Sequence, residues 1–415
     1  MKEKQHIPAG YKSSPLGIIP KDWEVKRLGE VCDIDKHSLS SNTNPNYEFD
    51  YISLSDVDSE SFEITTTRQV FKSAPSRARR IVSKGDVIIS TVRPNLQAFS
   101  LIKDDVNDLI VSTGFAVLTP QKINGEYLYQ YVFSQPITKQ FYQLVVGSNY
   151  PAVNSSDVFH LKIAVPPLPE QQRIVSVLSL WDTAIAKQAA LIEKLTVRKR
   201  GLMQQLLTGK KRLKGFEGEW KKCAIKSFAK EVSVRNTNNE DHVVLSCTKY
   251  DGLVPSLEYF GKQIYSNDLS TYKVVLKNHF VYATNHIEEG SIGYQDQYNY
   301  GLISPMYTVF KTDKEKIDDT YLFAVLKSHH LIYLYQAMME GSINRRGGLR
   351  WDSFSTIKVD LPSLEEQKAI SAFLQNADKE IEIQKQKLTS LQEQKKGLMQ
   401  VLLTGKKRIK FNKHE

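Results

Sequence analysis

Basic and amide side chains occur in two separated groups that are suited to hydrogen bonding with nucleic-acid bases and phosphates. An arginine guanidinium can donate two hydrogen bonds to one guanine, and an asparagine amide can pair in the same way with adenine. For any one residue a solvated surface position or a phosphate contact is the more common role, since at least half of protein–DNA hydrogen bonds go to the backbone. The candidates are Arg77, Arg79, Arg80, Lys84, Arg93, Asn95, Lys249, Asn285, Arg345, Arg346 and Arg350.

The sequence contains no pattern that predicts catalysis. The tetrapeptide N-P-N-Y at 44–47 lacks the second proline of adenine methyltransferase motifs, and no glycine-rich cofactor loop accompanies it, so it is interpreted as a turn. The G-K-K at 209–211 ends a helical pattern, whereas a nucleotide-binding loop opens a helix after a strand. The histidines at 286 and 329–330 are not in an H-E-x-x-H arrangement. We therefore expect a protein that is not an enzyme, with no catalytic residues, no metal site and no cofactor of its own.

The composition favours a folded protein with a polyanionic partner. The chain has 415 residues, 41% of them hydrophobic, a net charge of +10 and a pI of about 9.1. Its three cysteines, Cys32, Cys223 and Cys247, form no C-x-x-C pair, which predicts a reducing compartment. We see no apolar run of about 18 residues and no signal-peptide core at the start. These features predict a cytoplasmic protein without a membrane span.

An internal repeat in the sequence indicates the structural elements that must position the candidate residues. Residues 166–212 align without a gap with residues 362–408, an offset of 196, and 22 of the 47 paired positions are identical. The match is tightest in G-L-M-Q-x-L-L-T-G-K-K-R, at 201–212 and 397–408. A repeat of this kind indicates two copies of one structural unit.

Both repeated segments have the apolar spacing of a coiled-coil helix. Apolar residues recur in steps of four and three, and the polar interruptions Gln188 and Lys199 match Gln384 and Lys395 in the second copy. A 3.5-residue period predicts two paired helices, and polar seam residues can fix their register and orientation. Two unrelated surface helices are the less favoured alternative. The predicted seam consists of Ile174, Leu178, Ile185, Gln188, Ile192, Leu195, Leu202, Leu206, Ile370, Leu374, Ile381, Gln384, Leu388, Leu391, Leu398 and Leu402.

The segments before each helix predict two globules of mixed α/β (α+β) structure. Short β-rich runs such as GDVIIST (85–91) and HFVYAT (279–284) are bounded by turn residues. The landmarks Trp23 and Trp220 occur at equivalent places. The predicted order is a disordered start (1–14), globule 1 (15–165), a helix (166–212), globule 2 (215–361), a second helix (362–408) and a basic tail (409–415). The helices are expected to pair as an antiparallel coiled coil, with a pseudo-twofold internal repeat.

This organisation resembles the specificity subunit of type I restriction–modification systems. The resemblance covers nearly the whole chain and rests on P-P-L-P-E-Q-Q (166–172), L-P-S-L-E-E-Q (361–367) and the two L-L-T-G-K ends. It implies that each globule recognises one half of a bipartite, asymmetric DNA site. It also implies that the helices set the spacing and dock two methylase subunits, which motor–nuclease subunits join. S-adenosylmethionine, ATP and magnesium would then belong to the partner subunits. The alternative from another class is a non-catalytic coiled-coil scaffold whose globules bind proteins.

Overall fold

The computed structural model describes residues 6–58, 64–145, 152–340 and 348–409. The chain divides into two compact units, and each contains one globule together with half of each long helix. Unit 1 comprises Met1–Ala189 and Gln386–Glu415, and unit 2 comprises Ala190–Lys385. The units are described separately below.

Globule 1 contains twelve of the described strands and four short helices, and the first long helix, α5, follows it. The strands are β1 Tyr11–Ser14, β2 Gly17–Pro20, β3 Glu24–Arg27, β4 Cys32–Ile34, β5 Glu48–Ile52, β6 Thr67–Val70, β7 Ala78–Ile81, β8 Val87–Ser90, β9 Phe99–Leu101, β10 Leu109–Ser112, β11 Phe115–Pro120 and β12 Lys162–Val165. The helices are α1 Leu28–Val31, α2 Gly125–Val132, α3 Gln135–Val145, α4 Ser155–His160 and α5 Leu168–Leu207. Turns of 3-10 helix lie at Leu54–Asp56 and Pro94–Leu96.

Globule 2 contains ten of the described strands and four short helices, and the second long helix, α10, follows it. The strands are β13 Lys221–Ala224, β14 Ala229–Val232, β15 Leu245–Thr248, β16 Gly252–Pro255, β17 Lys273–Leu276, β18 Phe280–Ala283, β19 Ile292–Tyr294, β20 Tyr300–Ile303, β21 Tyr307–Thr312 and β22 Lys358–Leu361. The helices are α6 Ser256–Phe260, α7 Asp319–Leu326, α8 His329–Glu340, α9 Trp351–Phe354 and α10 Leu364–Leu402. Turns of 3-10 helix lie at Ile225–Ser227 and Ile287–Glu289.

The two globules share one four-stranded sheet and one two-stranded ladder, although their sequences and their remaining sheets differ. A four-stranded sheet has the order β4-β11-β8-β9 in globule 1 and β14-β21-β18-β19 in globule 2. In both, a two-stranded ladder joins the strand that enters the globule to the strand that leaves it, β3 with β12 and β13 with β22. The central strands β8 and β18 are buried along their whole length, as their continuous apolar sequence predicts. The prediction of two mixed α/β globules in one internal repeat is confirmed.

A conserved geometry joins each globule to the start of its long helix. The side-chain oxygen of Gln171 accepts a hydrogen bond from the amide of Asn124, the N-cap of α2, at 2.9 Å. In unit 2 the side-chain oxygen of Gln367 accepts from the amide of Asp318, the N-cap of α7, also at 2.9 Å. Since the two glutamines are 196 residues apart, the helix repeat extends into the way each helix is anchored.

The long helices pair antiparallel within each unit. In unit 1, Asp182 of α5 forms an ion pair with Lys395 of α10, and Glu170 forms one with Arg408 beyond the end of α10. As the residue numbers of the paired side chains rise along α5, those of their partners fall along α10. Unit 2 has the same arrangement, in which Lys199 is paired with Asp378 and Arg212 with Glu366. The predicted antiparallel pairing is thus observed in each unit.

Three features differ from the sequence-based expectations. Part of the N-terminal segment predicted to be disordered forms β1, which pairs with β2. The Tyr11 hydroxyl of β1 also donates to the carbonyl of Gly405 at 3.0 Å. The first long helix ends at Leu207, before Gly209, whose φ of +68° ends the helical conformation. Within the described residues, α5 alone has the length and apolar composition of a membrane span. That composition is weak evidence, because seam residues of α5 pack in the two cores.

Candidate nucleic-acid interface

One end of globule 1 gathers several of the predicted DNA-contacting residues. The carbonyl of Arg77 accepts from the amide of Thr113 at 2.8 Å, and the hydroxyl of Thr91 donates to the carbonyl of Gly114 at 2.8 Å. These bonds connect the arginine segment before β7 to the segment that follows β8. Residues 93–97, which we call loop 1, continue from that segment, so Arg77 and loop 1 lie at the same end.

Loop 1 holds two non-glycine residues in the left-handed region. Arg93 has a φ of +50° and Gln97 a φ of +54°, on either side of the 3-10 turn Pro94–Leu96. Left-handed conformations at such residues are uncommon and tend to occur at functional sites. Arg93 and Asn95 are exposed, and the Gln97 amide donates to the Thr138 hydroxyl at 3.2 Å.

The corresponding end of globule 2 contains Asn285, Lys249 and Arg350. The amide of Leu349 donates to the carbonyl of Thr284 at 2.8 Å, and a β-carbon on Gly348 would lie 2.4 Å from the Asn285 side-chain oxygen, so the segment that leads into Arg350 packs against the end of β18. The 3-10 turn Ile287–Glu289 follows directly, and we call residues 286–290 loop 2. Lys249 borders loop 2, since a β-carbon on Gly290 would lie 4.0 Å from its carbonyl oxygen.

Loop 2 also contains a set of possible metal ligands among the described residues. His286, Glu288 and Glu289 offer ligand atoms that all lie within 4.8 Å of one another. His286 and Glu289 are exposed, and such surface groups are common in proteins that bind no metal there. The absence of a metal site stays a prediction.

A second set of functional groups lies where each long helix begins. In unit 1, Arg408 donates to Glu170 at 2.6 Å and to Asp22 at 2.8 Å, while the Trp23 indole donates to Glu170 at 3.0 Å. The Glu170 side chain is 1% exposed, so these donors replace its water. The hydrogen bond to Glu170 raises the pKa of Arg408 above its ordinary value, and Asp22 adds to this. The cluster joins the first strands of the chain to its C-terminal segment.

Unit 2 contains the equivalent cluster. Arg212 donates to Glu366 at 2.6 Å and to the carbonyl of Gly218 at 2.8 Å, and its guanidinium lies 5.7 Å from the Trp220 ring. The hydrogen bond to Glu366, itself 1% exposed, raises the pKa of Arg212. Each unit therefore uses one arginine from the end of one helix to neutralise a buried glutamate at the start of the other.

Comparison with known proteins gives the family. The model of the type I restriction modification DNA specificity domain matches the chain twice, at residues 20–197 and 219–393. The chain belongs to this family. The resemblance inferred from the repeated helices is confirmed.

Relatives of the family match along nearly the full length. The type I restriction enzyme MjaVIII specificity subunit of Methanocaldococcus jannaschii is 26% identical over 433 residues, which cover 94% of each protein. The HsdS subunit of Thermoanaerobacter tengcongensis has a similar fold, with a TM-score of 0.53, 23% identity and coverage of 93% of this chain and 98% of that one. A chain from a structure on assembly and conformational transition of the type I R-M system gives a TM-score of 0.63, 23% identity and coverage of 93% and 99%.

In this specificity-family chain the remaining predicted contacts are placed as follows. Arg79 stacks over Phe71 at 4.8 Å, and Lys84 pairs with Asp105 at 2.7 Å on the surface. Arg80 is turned inward, contrary to a surface role, because its guanidinium pairs with Asp35 at 2.9 Å and is 15% exposed. Burial lowers the pKa of Arg80, although Asp35 opposes the shift. Arg345 and Arg346 lie outside the described residues.

The predicted seam residues are all buried or half-buried, and the two seam lysines have partners that the sequence analysis missed. Lys395 pairs with Asp182 at 2.5 Å and Lys199 pairs with Asp378. The two aspartates are themselves 196 residues apart, as are Glu170 and Glu366. A search for charged residues repeated at the helix offset would have found all four acids.

Proposed function

We propose that this chain is the DNA-recognition and assembly subunit of a type I restriction–modification complex. The supporting observation is that two globules, which share a four-stranded sheet of the same order, each place exposed basic side chains and a neighbouring amide at the end that carries loop 1 or loop 2. Two such surfaces on a chain of net charge +10 suit a bipartite DNA site, with one half-site bound by each globule. The complex would methylate adenine in that site, or restrict DNA in which the site is unmodified.

The chemistry itself would belong to partners. Burial raises the pKa of both Cys32 and Cys247 to about 12, so neither thiol is a nucleophile near neutral pH. We infer a non-catalytic subunit that docks two methylase subunits on the paired helices and also joins motor–nuclease subunits. S-adenosylmethionine, ATP and magnesium would be bound by those partners. The free cysteines suit a cytoplasmic protein.

The test of DNA recognition is a binding experiment with matched duplexes. The site is first found by mapping methylated adenines in the genome of the source organism. The full chain with its methylase subunits should then shift a duplex with both half-sites, and a duplex with one half-site scrambled should bind at least ten-fold more weakly. Affinity should also fall steeply as salt rises, by about 0.9 log units per log unit of salt for each phosphate contacted. Equal binding to both duplexes, without salt dependence, would favour the protein-binding scaffold instead.

The role of the helices in spacing has its own test. Seven residues inserted after Ala189 in α5 keep the 3.5-residue period and add about 10 Å of helix. The variant should prefer a different distance between half-sites while both globules keep their base preferences. A control with the same insertion in the exposed surface segment after Gly215 should leave the spacing unchanged. An unchanged spacing in the helix variant would contradict the proposal.

A further inference from the structure

Loop 1 and loop 2 occupy the same place in the two globules, although their sequences share nothing. Loop 1 connects β8 to β9 and loop 2 connects β18 to β19, which are equivalent strands in sheets of identical order. The segment before each loop is held by one equivalent hydrogen bond. The amide of Val153 donates to the carbonyl of Thr91, and the amide of Leu349 donates to the carbonyl of Thr284, both at 2.8 Å.

The backbone of the two loops is also alike. Each forms a single 3-10 turn, Pro94–Leu96 or Ile287–Glu289, and each turn ends on a residue in the left-handed region. That residue is Gln97 in loop 1, with a φ of +54°, and Gly290 in loop 2, with a φ of +90°. The fold therefore presents the same turn at the same position in each globule, although the residue before the turn differs, with a φ of +50° at Arg93 and −136° at His286.

The side chains of loop 1 suit purine edges. Arg93 and Asn95 are exposed on the loop, and arginine and asparagine are the residues that pair best with guanine and adenine in the major groove. Leu96, which directly follows Asn95, is 54% exposed, although leucine is usually buried. An exposed apolar group beside polar ones suits contact with a thymine methyl.

The side chains of loop 2 have the opposite hydrogen-bonding character. Glu288 and Glu289 present carboxylates, which accept hydrogen bonds and donate none when ionised. Glu288 is half-buried, and its Oε2 atom accepts no hydrogen bond from the described residues, whereas Glu289 is exposed. In the major groove the exocyclic amine of cytosine is the donor that pairs with glutamate.

Cations near loop 2 make a carboxylate contact with DNA electrostatically acceptable. Phosphates repel carboxylates, so acidic base-contacting residues need positive charge close by. Lys249 borders the loop, and the Lys327 ammonium donates to the Lys249 carbonyl at 2.9 Å. The exposed Arg350 directly follows Leu349, whose amide donates to the carbonyl of Thr284, two residues before the loop.

We propose that loops 1 and 2 are the equivalent base-contacting elements of the two globules, and that they select bases of different chemistry. Loop 1 selects guanine or adenine through Arg93 and Asn95. Loop 2 selects a base that offers an amino group, cytosine foremost, through Glu288 and Glu289. This inference rests on the proposed function, and it names which side chains make the two half-sites different.

The test uses the full chain, with its methylase subunits, and a pool of DNA duplexes with randomised bases. Bound duplexes are selected and sequenced for the parent protein and for Arg93→Gln and Glu289→Gln. Glu289→Gln keeps the length of the side chain and Arg93→Gln shortens it, and both exchange the charged hydrogen-bonding group for an amide, which prefers adenine. Each should change base preference by about ten-fold at one or two positions of a single half-site, and the two variants should affect different half-sites. The matched controls are Arg68→Gln and Glu315→Gln, exposed residues outside the two loops.

The outcomes separate this inference from the proposed function. If the parent protein enriches no sequence, the proposed function fails. If the parent enriches a bipartite site that Arg93→Gln and Glu289→Gln leave unchanged, or weaken without altering preference, the proposed function stands and the loop assignment is wrong. An effect of Glu289→Gln that disappears when EDTA removes divalent ions would assign loop 2 to a cation and would also overturn the proposal.

Discussion

At the scale of single residues, two different side chains hold the same turn in the two globules. Before β8, the Asp86 carboxylate accepts from the amide of Ser83 at 2.8 Å. Before β18, the His279 ring nitrogen Nδ1 accepts from the amide of Leu276 at 3.1 Å. Burial raises the pKa of Asp86 and lowers the pKa of His279. Both shifts favour the neutral side chain, but they make the stability of the two globules respond to pH in opposite directions.

His279 should make globule 2 sensitive to mild acid. Its pKa is lowered in the folded state, chiefly by burial and then by Lys311 and Lys314, so below about pH 6.5 the unfolded state binds the proton first. The stabilisation is complete above about pH 6.5 and is lost as pH falls, by at most about 1.4 kcal/mol per pH unit. His279→Asn keeps an acceptor in place and should flatten this dependence, measured by denaturant unfolding between about pH 7.5 and about pH 5.

The exposed His330 provides the control for that measurement. His330→Asn should leave the pH dependence of unfolding as it is in the parent. An equal slope in the parent and in His279→Asn would contradict the assignment of the acid sensitivity to the turn before β18.

The glycines after the two long helices form a matched pair that differs in its surroundings. Gly405 and Gly209 both have φ near +69°, at +69° and +68°. A β-carbon on Gly405 would lie 2.4 Å from Pro20, whereas one on Gly209 would lie 3.5 Å from Trp220. Both alanine variants should lose about 1 kcal/mol from the left-handed backbone, and Gly405→Ala should lose about 1 to 3 kcal/mol more through overpacking. Thermal unfolding measures the difference, and an equal loss at the two sites would refute it.

At the scale of elements, the long helices were predictable and the loops were not. The seam period is local information, so the helices and their pairing could be predicted from one sequence. The acids that pair with the seam lysines lie outside the apolar register, at 182 and 378; their repeat at the helix offset could be found in the sequence, but which lysine each one pairs with is given only by the partner helix. Loops 1 and 2 are offset by 193 residues, whereas the helices are offset by 196, and they share no residue types. The two loops are equivalent in their position and their turn, and the residue types in the sequence do not indicate this equivalence.

Each long helix contains an interior glycine that no close contact within the chain requires. Gly201 in α5 and Gly397 in α10 are exposed, and a β-carbon on either would meet no atom within 4 Å. Alanine at each position should therefore stabilise the chain by about 0.5 to 1 kcal/mol, because glycine is less favourable inside a helix. The double variant should unfold at higher denaturant by roughly the sum of the two effects.

The same variants test where a partner binds. If Gly201→Ala with Gly397→Ala raises stability but weakens retention of the methylase subunits in a pull-down, a partner approaches the helix closely at these glycines. Retention equal to that of the parent would place the docking surface elsewhere on the helices. No gain in stability would contradict the assignment of open space around the two positions.

At the scale of the whole molecule, the two units join a helix end to the start of a globule in different ways. Unit 2 joins them by a continuous chain segment, and unit 1 joins them by non-covalent contacts. In unit 2 the chain runs directly from Arg212, at the end of α5, to Trp220 at the start of globule 2. In unit 1 the corresponding partners, Arg408 and Trp23, belong to opposite ends of the sequence and meet on the buried Glu170. In unit 1, therefore, Trp23 and Arg408 are held together by contacts on Glu170 without a chain segment that joins them.

A circular permutant should exploit this closure. Joining residue 415 to residue 1 and opening the chain between Gly215 and Gly218, which are exposed glycines with open space around them, changes connectivity but removes no described contact between helices and globules. The Arg212–Glu366 cluster would then hold the segments beside the new opening, as the Arg408–Glu170 cluster holds Arg408 against the start of α5 in the parent. We expect the same helix content by circular dichroism and a melting temperature within about 5 °C of the parent, which corresponds to about 1 to 2 kcal/mol.

The control opens the chain after Ala189, inside α5, and should lose helix content because the paired helix is interrupted.

A second variant separates the contribution of the cluster. Arg212→Ala leaves the 1%-exposed Glu366 without its charged partner, and its cost should be larger in the permutant than in the parent, where the covalent link still holds the segment. The proposal fails if Arg212→Ala costs the same stability in the permutant and in the parent. It also fails if the permutant does not fold. Either result would show that the ion-pair cluster cannot replace the covalent link.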